Sequence, residues 1–254
     1  MTRALALVLL LACPALRDAR AADCLDLGLY GSVLQAHTRS VADLAGTRVD
    51  YAALRISPQW ADVRNSLALC DPAKLATREE RLAFWINAYN VLAIDLVATH
   101  WPVASIRDIG SFFFPVWTKT AGQIHGKPYT LRQVEDQELR ALGDPRIHAA
   151  IVCASVSCPA LAREPYQAAD IDAELDRAFA RFVANREKGV ALDRGASTLR
   201  LSRIFKWFAE DFEKQGGTLA MISRYLDADD RAWLERHAAT TRREYLPYDW
   251  RVNG

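Results

Sequence analysis

The residues best able to do chemistry are one imidazole and two thiols in the stretch Arg146–Leu161, namely His148, Cys153 and Cys158. A thiol becomes a nucleophile when a helix N-terminus, an imidazolium or a nearby base lowers its pKa. Because proline follows Cys158 and is favoured in a first helical turn, this cysteine is predicted at a helix N-cap. Glu135 is the nearest carboxylate in sequence that could orient the imidazole.

The elements around these groups set their separation. The short apolar run Ile147–Val152 predicts a buried strand. On a straight strand His148 and Cys153 point to opposite faces and lie about 16 Å apart. A direct hydrogen bond between them therefore requires a bend or a bulge. The alternative interpretation is a core histidine beside two buried or disulfide-bonded cysteines. A Cys-x4-Cys pair with one histidine lacks a fourth ligand at any usual spacing, so no metal or other cofactor is expected.

The N-terminus predicts export. Arg3 precedes the apolar run Ala4–Ala12, and an A-x-A site follows at Ala19–Ala21. These are the parts of a signal peptide over residues 1–21, and the run is too short for a membrane anchor. We therefore expect a periplasmic or secreted protein with no transmembrane segment after cleavage. A lipid anchor at Cys13 is the rival interpretation.

Cleavage would leave four cysteines: Cys24, Cys70, Cys153 and Cys158. In an oxidising compartment an even number suggests disulfides, and four cysteines allow three pairings. A Cys24–Cys70 bond would leave the other two thiols free, whereas a Cys153–Cys158 bond would block them. The formal net charge of +1 argues against a basic nucleic-acid surface.

The element pattern predicts an α+β fold: a single helix-rich domain over residues 22–254, with a small sheet around a central apolar helix. That helix, Arg78–His100, starts with a capping box at Thr77 and is apolar on nearly all sides. The other predicted elements are helices at 25–45, Ser57–Leu69, Thr130 to about Leu142, Asp170–Asn185, one capped by Ser202, about Leu219–Leu226 and Asp229–His237, with extended segments at Thr47–Tyr51, Ser197–Leu201 and Arg243–Trp250.

Two further groups are candidates for binding. Asn87 and Asn90 lie one turn apart on the central helix, where they either hydrogen-bond neighbouring loops or bind substrate. The connection Ser105–Gly126 carries three phenylalanines and Trp117, and is either a binding wall or a packed cover over the core. The Trp and Phe residues of the helix after Ser202 are predicted to be core.

Several segments together resemble domain-of-unknown-function family 547, over about residues 41–254. The segments are Glu80–Asn90, Arg107–Ser111, Val134–Glu135, Asp144–His148, Cys153–Leu161, Ile204–Phe208 with Asp211–Phe212, and Leu246–Trp250. The family is similar in outline to papain-like and transglutaminase-like thiol enzymes, and members have been proposed to use a Cys-His-Glu set.

Carried over to this chain, the resemblance implies Cys153 as nucleophile, His148 as proton shuttle and Glu135 as orienting carboxylate. Some plant relatives have serine at the position of Cys158, which favours Cys153 as the working thiol and makes Cys158 the alternative nucleophile. Asp136 stands where many members have histidine.

We therefore expect an exported cysteine hydrolase that acts on peptide-like or amide substrates, with Asn87, Asn90 and Trp117 shaping its pocket. The alternatives are a non-catalytic envelope binding module with a papain-like shell and, third, thiol–disulfide exchange.

Overall fold

The structure is a computed structural model that describes residues 24–254. The predicted signal peptide at 1–21 and the lipid-attachment residue Cys13 lie outside the described residues, so both stay predictions. The ten α-helices of the described part are α1 Leu27–His37, α2 Tyr51–Arg55, α3 Pro58–Leu69, α4 Arg78–His100, α5 Leu131–Gln133, α6 Ile171–Ala184, α7 Ile204–Trp207, α8 Ala209–Glu213, α9 Thr218–Ser223 and α10 Ala228–His237.

The strands form three small sheets. They are β1 Thr38–Ser40, β2 Thr47–Val49, β3 Thr120–Ile124, β4 Lys127–Thr130, β5 Val190–Asp193, β6 Thr198–Leu201 and β7 Arg242–Tyr245. Two sheets are antiparallel pairs, β1 with β2 and β3 with β4, and the third has the order β5-β6-β7 with β7 parallel to β6. This arrangement confirms the predicted α+β class.

Helix α4 is the central element, as its sequence predicts. The Thr77 hydroxyl accepts a hydrogen bond from the Glu80 N–H at 3.1 Å, and the Glu80 carboxylate accepts one from the Thr77 N–H at 3.0 Å. The helix is long and apolar enough to cross a membrane, but 89% of its most apolar window is buried inside the protein. Such burial is typical of the core helix of a globular protein.

A disulfide bond crosslinks the N-terminal part of the described chain. Cys24 and Cys70 are bonded, with their Cα atoms 4.5 Å apart. The bond ties the segment before α1 to the end of α3. Of the pairings that the sequence left open, this one leaves Cys153 and Cys158 as free thiols.

Two apolar clusters meet at the predicted site. The first surrounds α4, and the second is built from α6, β5, β6 and the helices that follow them. Ile147 belongs to the first cluster and Ala149 to the second. His148 between them is buried. The histidine therefore lies where the two clusters join.

The predicted strand at Ile147–Val152 is wrong. A 3₁₀ helix spans Pro145–Ala149, and no regular structure follows it up to Cys153. Asp144 caps this helix by accepting the Arg146 N–H at 3.0 Å, and Pro145 occupies its first turn. An aspartate cap followed by proline is a helix-start signal, and here it outweighs the apolar run.

Two other predicted elements differ from the structure. The first helix ends at His37 rather than 45, because the chain turns there into β1 and pairs with β2. The predicted connection Ser105–Gly126 contains strand β3, which forms a hairpin with β4. Strands β1 and β3 are both short, so each is stabilised mainly by pairing with its neighbouring strand, and sequence periodicity does not show such pairing.

Candidate thiol site

A cleft of about 1170 Å³ brings the predicted chemical groups together. Cys153, Cys158, His148, Glu135 and Trp117 all line it. These residues come from four separate parts of the chain, so the cleft exists only in the folded protein.

The C-terminal segment holds the loop that carries the two thiols. The Val156 N–H donates to the Arg251 carbonyl at 2.9 Å, and the Asn253 N–H donates to the Ala154 carbonyl at 3.0 Å. Ala154, directly after Cys153, has a φ of 62° in the left-handed region. That conformation costs a non-glycine residue about 1 kcal/mol, so the surrounding bonds must hold it in place.

A buried lysine supports the same loop from the other side. Lys188 is buried, and its ammonium donates to the carbonyls of Ala45 at 3.0 Å and Val156 at 3.4 Å. Burial lowers the pKa of Lys188 to about 8, partly offset by the charges of Cys158 and Asp43. The lysine thus fixes the loop by its hydrogen bonds to backbone carbonyls.

The two sulfur atoms lie 2.6 Å apart. The Cys153 N–H also points at the Cys158 sulfur, at 3.2 Å, and the Tyr248 hydroxyl lies 3.3 Å from that sulfur. The Ser155 hydroxyl lies 3.0 Å from Cys153 Sγ and 3.4 Å from Cys158 Sγ. Cys158 is therefore surrounded by groups that can donate hydrogen bonds.

These contacts divide the pair into a thiolate and a thiol. Burial raises the pKa of Cys158, but hydrogen bonds from Cys153, Ser155 and Tyr248 outweigh it and lower that pKa to about 6. The hydrogen bond with Cys158, together with burial, raises the pKa of Cys153. Cys158 thus holds the negative charge, and Cys153, the less buried of the two, holds the proton.

The helix N-cap predicted for Cys158 is absent. No helix begins at Pro159, and residues 159–162 have no regular structure. The charge on this sulfur is therefore stabilised by neighbouring thiol and hydroxyl groups rather than by a helix dipole.

His148 is held through one ring nitrogen. Its Nε2 lies 2.8 Å from Asp211 Oδ2, and Arg140 donates two hydrogen bonds to the same carboxylate, at 2.7 and 3.0 Å. Burial raises the pKa of Asp211, but the bonds from His148 and Arg140 outweigh it and hold that pKa well below its usual range. An ionised carboxylate can only accept hydrogen bonds. Nε2 therefore carries the ring proton and donates a hydrogen bond to Asp211.

The other nitrogen of the ring is without a partner. Nδ1 of His148 is buried and makes no hydrogen bond within the described residues. Burial lowers the pKa of His148 despite the opposing effect of Asp211, so the ring is neutral and Nδ1 has a free lone pair. The ring stacks on Phe208 with centroids 4.0 Å apart, which fixes its plane.

Glu135 lies on the Nδ1 side of the ring, with its Oε1 3.8 Å from that nitrogen. It belongs to a π-helical turn, Val134–Leu139, that continues α5. Burial, with a contribution from Asp136, raises the pKa of Glu135 to about 8. The carboxyl is therefore largely protonated near neutral pH.

The structure thus places an unexpected residue beside the imidazole. The hydrogen bond expected from Glu135 is made by Asp211 on α8 instead. Asp211 belongs to a segment that carried the resemblance, but its separation of 63 residues from His148 left it without an assigned role. Neither sulfur is hydrogen-bonded to His148, although both share the cleft with it.

Asn87 and Asn90 hold backbone beside the site. Asn87 exchanges two hydrogen bonds with the backbone of Tyr166, at 2.8 and 3.0 Å. Asn90 donates to the Ala150 carbonyl at 3.0 Å and accepts from the Val152 N–H at 2.8 Å. Both side chains are buried, and their groups are occupied in this way. Asn90 therefore anchors the segment that leads from His148 to the thiols.

One wall of the cleft is aromatic. Trp250 lies 6.0 Å from Trp117, 5.5 Å from Trp207 and 4.5 Å from Tyr248, measured between ring centroids. The Arg107 guanidinium lies 5.4 Å above the Trp250 ring. The sequence predicts that the Trp and Phe residues after Ser202 are core. The prediction is confirmed for the buried phenylalanines, but Trp207 and Phe208 line the cleft.

No metal centre accompanies these groups: among residues 24–254, no group of three or more His, Cys, Asp or Glu residues could hold a metal ion.

Comparison with known proteins gives a match to one family model. The family model described as "Protein of unknown function, DUF547" matches residues 72–183. The matched span includes α4, Glu135, His148 and both free cysteines. The comparison with curated proteins and the comparison with solved structures each found no match. The papain-like outline expected from the sequence therefore stays a prediction.

Proposed function

We propose that this chain, which carries the DUF547 family match over residues 72–183, is an exported cysteine hydrolase that cleaves peptide or amide bonds. The observation that carries the proposal is the thiol–thiolate pair of Cys153 and Cys158, which shares a cleft with His148, a neutral imidazole whose buried Nδ1 has no hydrogen-bond partner within the described residues. A nucleophile, a proton acceptor and a base in one cleft are the groups that acyl transfer requires.

Acylation uses the sulfur pair and Glu135. Cys153 Sγ bonds to the substrate carbonyl carbon as its proton passes to Cys158, 2.6 Å away. The C–N bond breaks, and the leaving amine takes a proton from the carboxyl of Glu135, which a pKa of about 8 keeps available. The products are a thioester on Cys153, a neutral Cys158, an ionised Glu135 and a free amine.

Hydrolysis of the thioester uses the imidazole. Nδ1 of His148 takes a proton from water as the water oxygen bonds to the acyl carbon and the bond to Cys153 breaks. The Cys153 thiolate regains its proton from Cys158. The imidazolium passes its proton to Glu135, whose Oε1 lies 3.8 Å from Nδ1 in the resting site and moves within hydrogen-bond reach when both groups are charged. Asp211 stabilises the transient imidazolium through Nε2, and every group returns to its starting state.

The surroundings of the sulfurs support the substrate class and the compartment. The aromatic wall reaches from Tyr248, beside the sulfurs, to Arg107. Arg107 makes no ion pair within the described residues, which leaves its donors free for an anionic group such as a peptide carboxylate. The Cys24–Cys70 disulfide favours an oxidising compartment, in agreement with the predicted signal peptide.

Thiol labelling tests the proposal. The folded protein is treated with iodoacetamide at neutral pH, and the modified residue is identified by peptide mass spectrometry. We expect labelling at Cys153, because its sulfur is the less buried of the pair and can pass its proton to Cys158, whereas the Cys158 thiolate is buried. Cys24 and Cys70 are protected by their disulfide and serve as an internal control. A peptide mixture from digested protein then serves as substrate, and Cys153→Ala should abolish the new cleavages. A Cys153 that stays unlabelled, or a Cys153→Ala variant with unchanged cleavage, would refute the thiol mechanism.

The second candidate is a non-catalytic binding module of the cell envelope. It is favoured by the lack of a hydrogen bond between His148 and either sulfur. It predicts that Cys153→Ala leaves the biological phenotype intact, whereas Trp117→Ala, which removes part of the aromatic wall, abolishes it. The hydrolase predicts loss of the phenotype in Cys153→Ala.

A further inference from the structure

Three consecutive phenylalanines stand in solvent at the mouth of the cleft. The side chains of Phe112, Phe113 and Phe114 are 93%, 82% and 69% exposed. Single exposed hydrophobic residues are ordinary on protein surfaces, but a contiguous apolar cluster marks an interaction site. Neither the thiol chemistry nor the packing of the core uses these rings.

The backbone holds the three rings outward. The Ser111 N–H donates to the Phe114 carbonyl at 2.9 Å, and the Phe114 N–H donates to the Ser111 hydroxyl at 3.1 Å. This closed turn places Phe112 and Phe113 at its tip, where their rings meet edge to face with centroids 5.3 Å apart. We call Ser111–Phe114 the phenylalanine turn. The two bonds satisfy the backbone groups at the base of the turn and hold its shape.

The base of the turn is also braced. The Lys119 ammonium donates to the Ile109 carbonyl at 2.7 Å, which ties the chain after the turn to the chain before it. A Cβ on Gly110 would collide with the backbone nitrogen of Val116, so only glycine fits this close approach. The exposure of the rings is therefore a property of a built loop.

The size of the apolar surface indicates its occupant. Three rings with these exposures present about 500 Å². A stable protein interface needs about 800 Å² from each partner, so the turn is too small for a protein docking site. A lipid bilayer needs only a narrow apolar tip, because aromatic side chains partition into the boundary between headgroups and acyl chains. The exposed cations Arg107 and Lys119 flank the turn and outnumber the exposed carboxylate of Asp108 beside it, so the local charge suits anionic headgroups.

We propose that the phenylalanine turn inserts into the surface of a lipid bilayer and holds the protein there. Ser111 and Phe112 also line the cleft, so insertion brings the cleft mouth against the membrane. This inference concerns where the protein works and stands whether or not the thiols are catalytic.

Vesicle binding tests the inference. The full chain is mixed with vesicles of equal parts phosphatidylcholine and phosphatidylglycerol, and the bound fraction is measured by co-sedimentation. We expect the double variant Phe112→Ser/Phe113→Ser to lower the partition coefficient about tenfold or more, because two rings no longer enter the bilayer. The apolar residues 4–12 are identical in both proteins, so any lipid binding by that segment contributes equally to both partition coefficients and is subtracted by comparing their difference.

Two matched variants complete the design. Ile56→Ser and Leu69→Ser remove side chains that are 81% and 82% exposed outside the turn, and both should bind vesicles like the wild type. Phe113→Trp should bind normally, and brominated acyl chains should quench its added fluorescence. Equal partition of the wild type and the double serine variant would overturn the inference. So would self-association that depends on the phenylalanines without vesicle binding, since the occupant would then be a second copy of the chain.

Discussion

Replacement of Glu135 by glutamine should remove a pH-dependent loss of stability. The pKa of this carboxyl is raised from its usual value of 4.5 to about 8, mainly by burial and next by Asp136. Between these values the folded protein keeps a proton that the unfolded chain has released. The stability that this proton confers is therefore fully present below pH 4.5 and is lost as the pH rises towards 8.

The expected size follows from the same two values. Each pKa unit is worth about 1.4 kcal/mol, so the difference between 4.5 and about 8 corresponds to about 5 kcal/mol. The Glu135 side chain keeps 17% of its exposure, and partial solvation reduces the expected loss to about 3 kcal/mol. Glutamine has nearly the same shape and no proton to lose, so the Glu135→Gln variant should escape this loss.

The assay is urea unfolding at pH 4.5 and at pH 8 for both proteins. The free energy of unfolding of the wild type should fall between the two values by about 3 kcal/mol more than that of Glu135→Gln. Glu187→Gln, a change at an exposed glutamate, serves as the control and should follow the wild type. The free energies of unfolding of the wild type and Glu135→Gln could instead change with pH in parallel, within about 0.5 kcal/mol. Glu135 would then be ionised in the folded protein, and its role as a proton donor would be refuted.

Three other changes probe the groups around the cleft. Cys158→Ser should speed iodoacetamide labelling of Cys153 at neutral pH about tenfold or more, because the neighbouring sulfur that raises the pKa of Cys153 is removed; an unchanged or slower rate would contradict the shared proton. Asp211→Asn should let the ring proton of His148 move from Nε2 to Nδ1 and should lower the free energy of unfolding by about 2 kcal/mol. Nitrogen NMR would detect the changed imidazole tautomer, and an unaltered tautomer would contradict the assignment. Lys188→Met should remove a rise in the free energy of unfolding with pH. The pKa of this lysine is about 8 in the folded protein and 10.5 in the unfolded chain, so between pH 8 and pH 10.5 only the unfolded chain binds the proton. Urea unfolding across that window measures this effect, and equal slopes for wild type and variant would count against it.

The central helix shows how far local patterns reach. Thr77 and Glu80 predict the start of α4, and the near-continuous apolar surface predicts its burial; both are confirmed. The capping box joins residues three positions apart, so the energies that fix the helix start lie within the segment. The same holds for helix α3, which ends at Leu69 as predicted.

The sequence by itself also brought out His148, Cys153, Cys158 and Glu135 as the groups able to do chemistry, and the folded chain collects them in one cleft. It did so because imidazole, thiol and carboxyl groups have reactivities that depend first on residue type. Their mutual arrangement was not accessible in this way, as the strand wrongly predicted at Ile147–Val152 shows.

Only the tertiary structure decided which atoms meet. The hydrogen bond from His148 to Asp211 spans 63 residues, and the contact of Tyr248 with Cys158 spans 90. Such contacts depend on the packing of α8 and the C-terminal segment against the centre of the protein, and no local periodicity or cap encodes them. The division of the sulfurs into thiol and thiolate depends on the same packing, because a pKa responds to burial and to hydrogen-bond donors that distant segments supply.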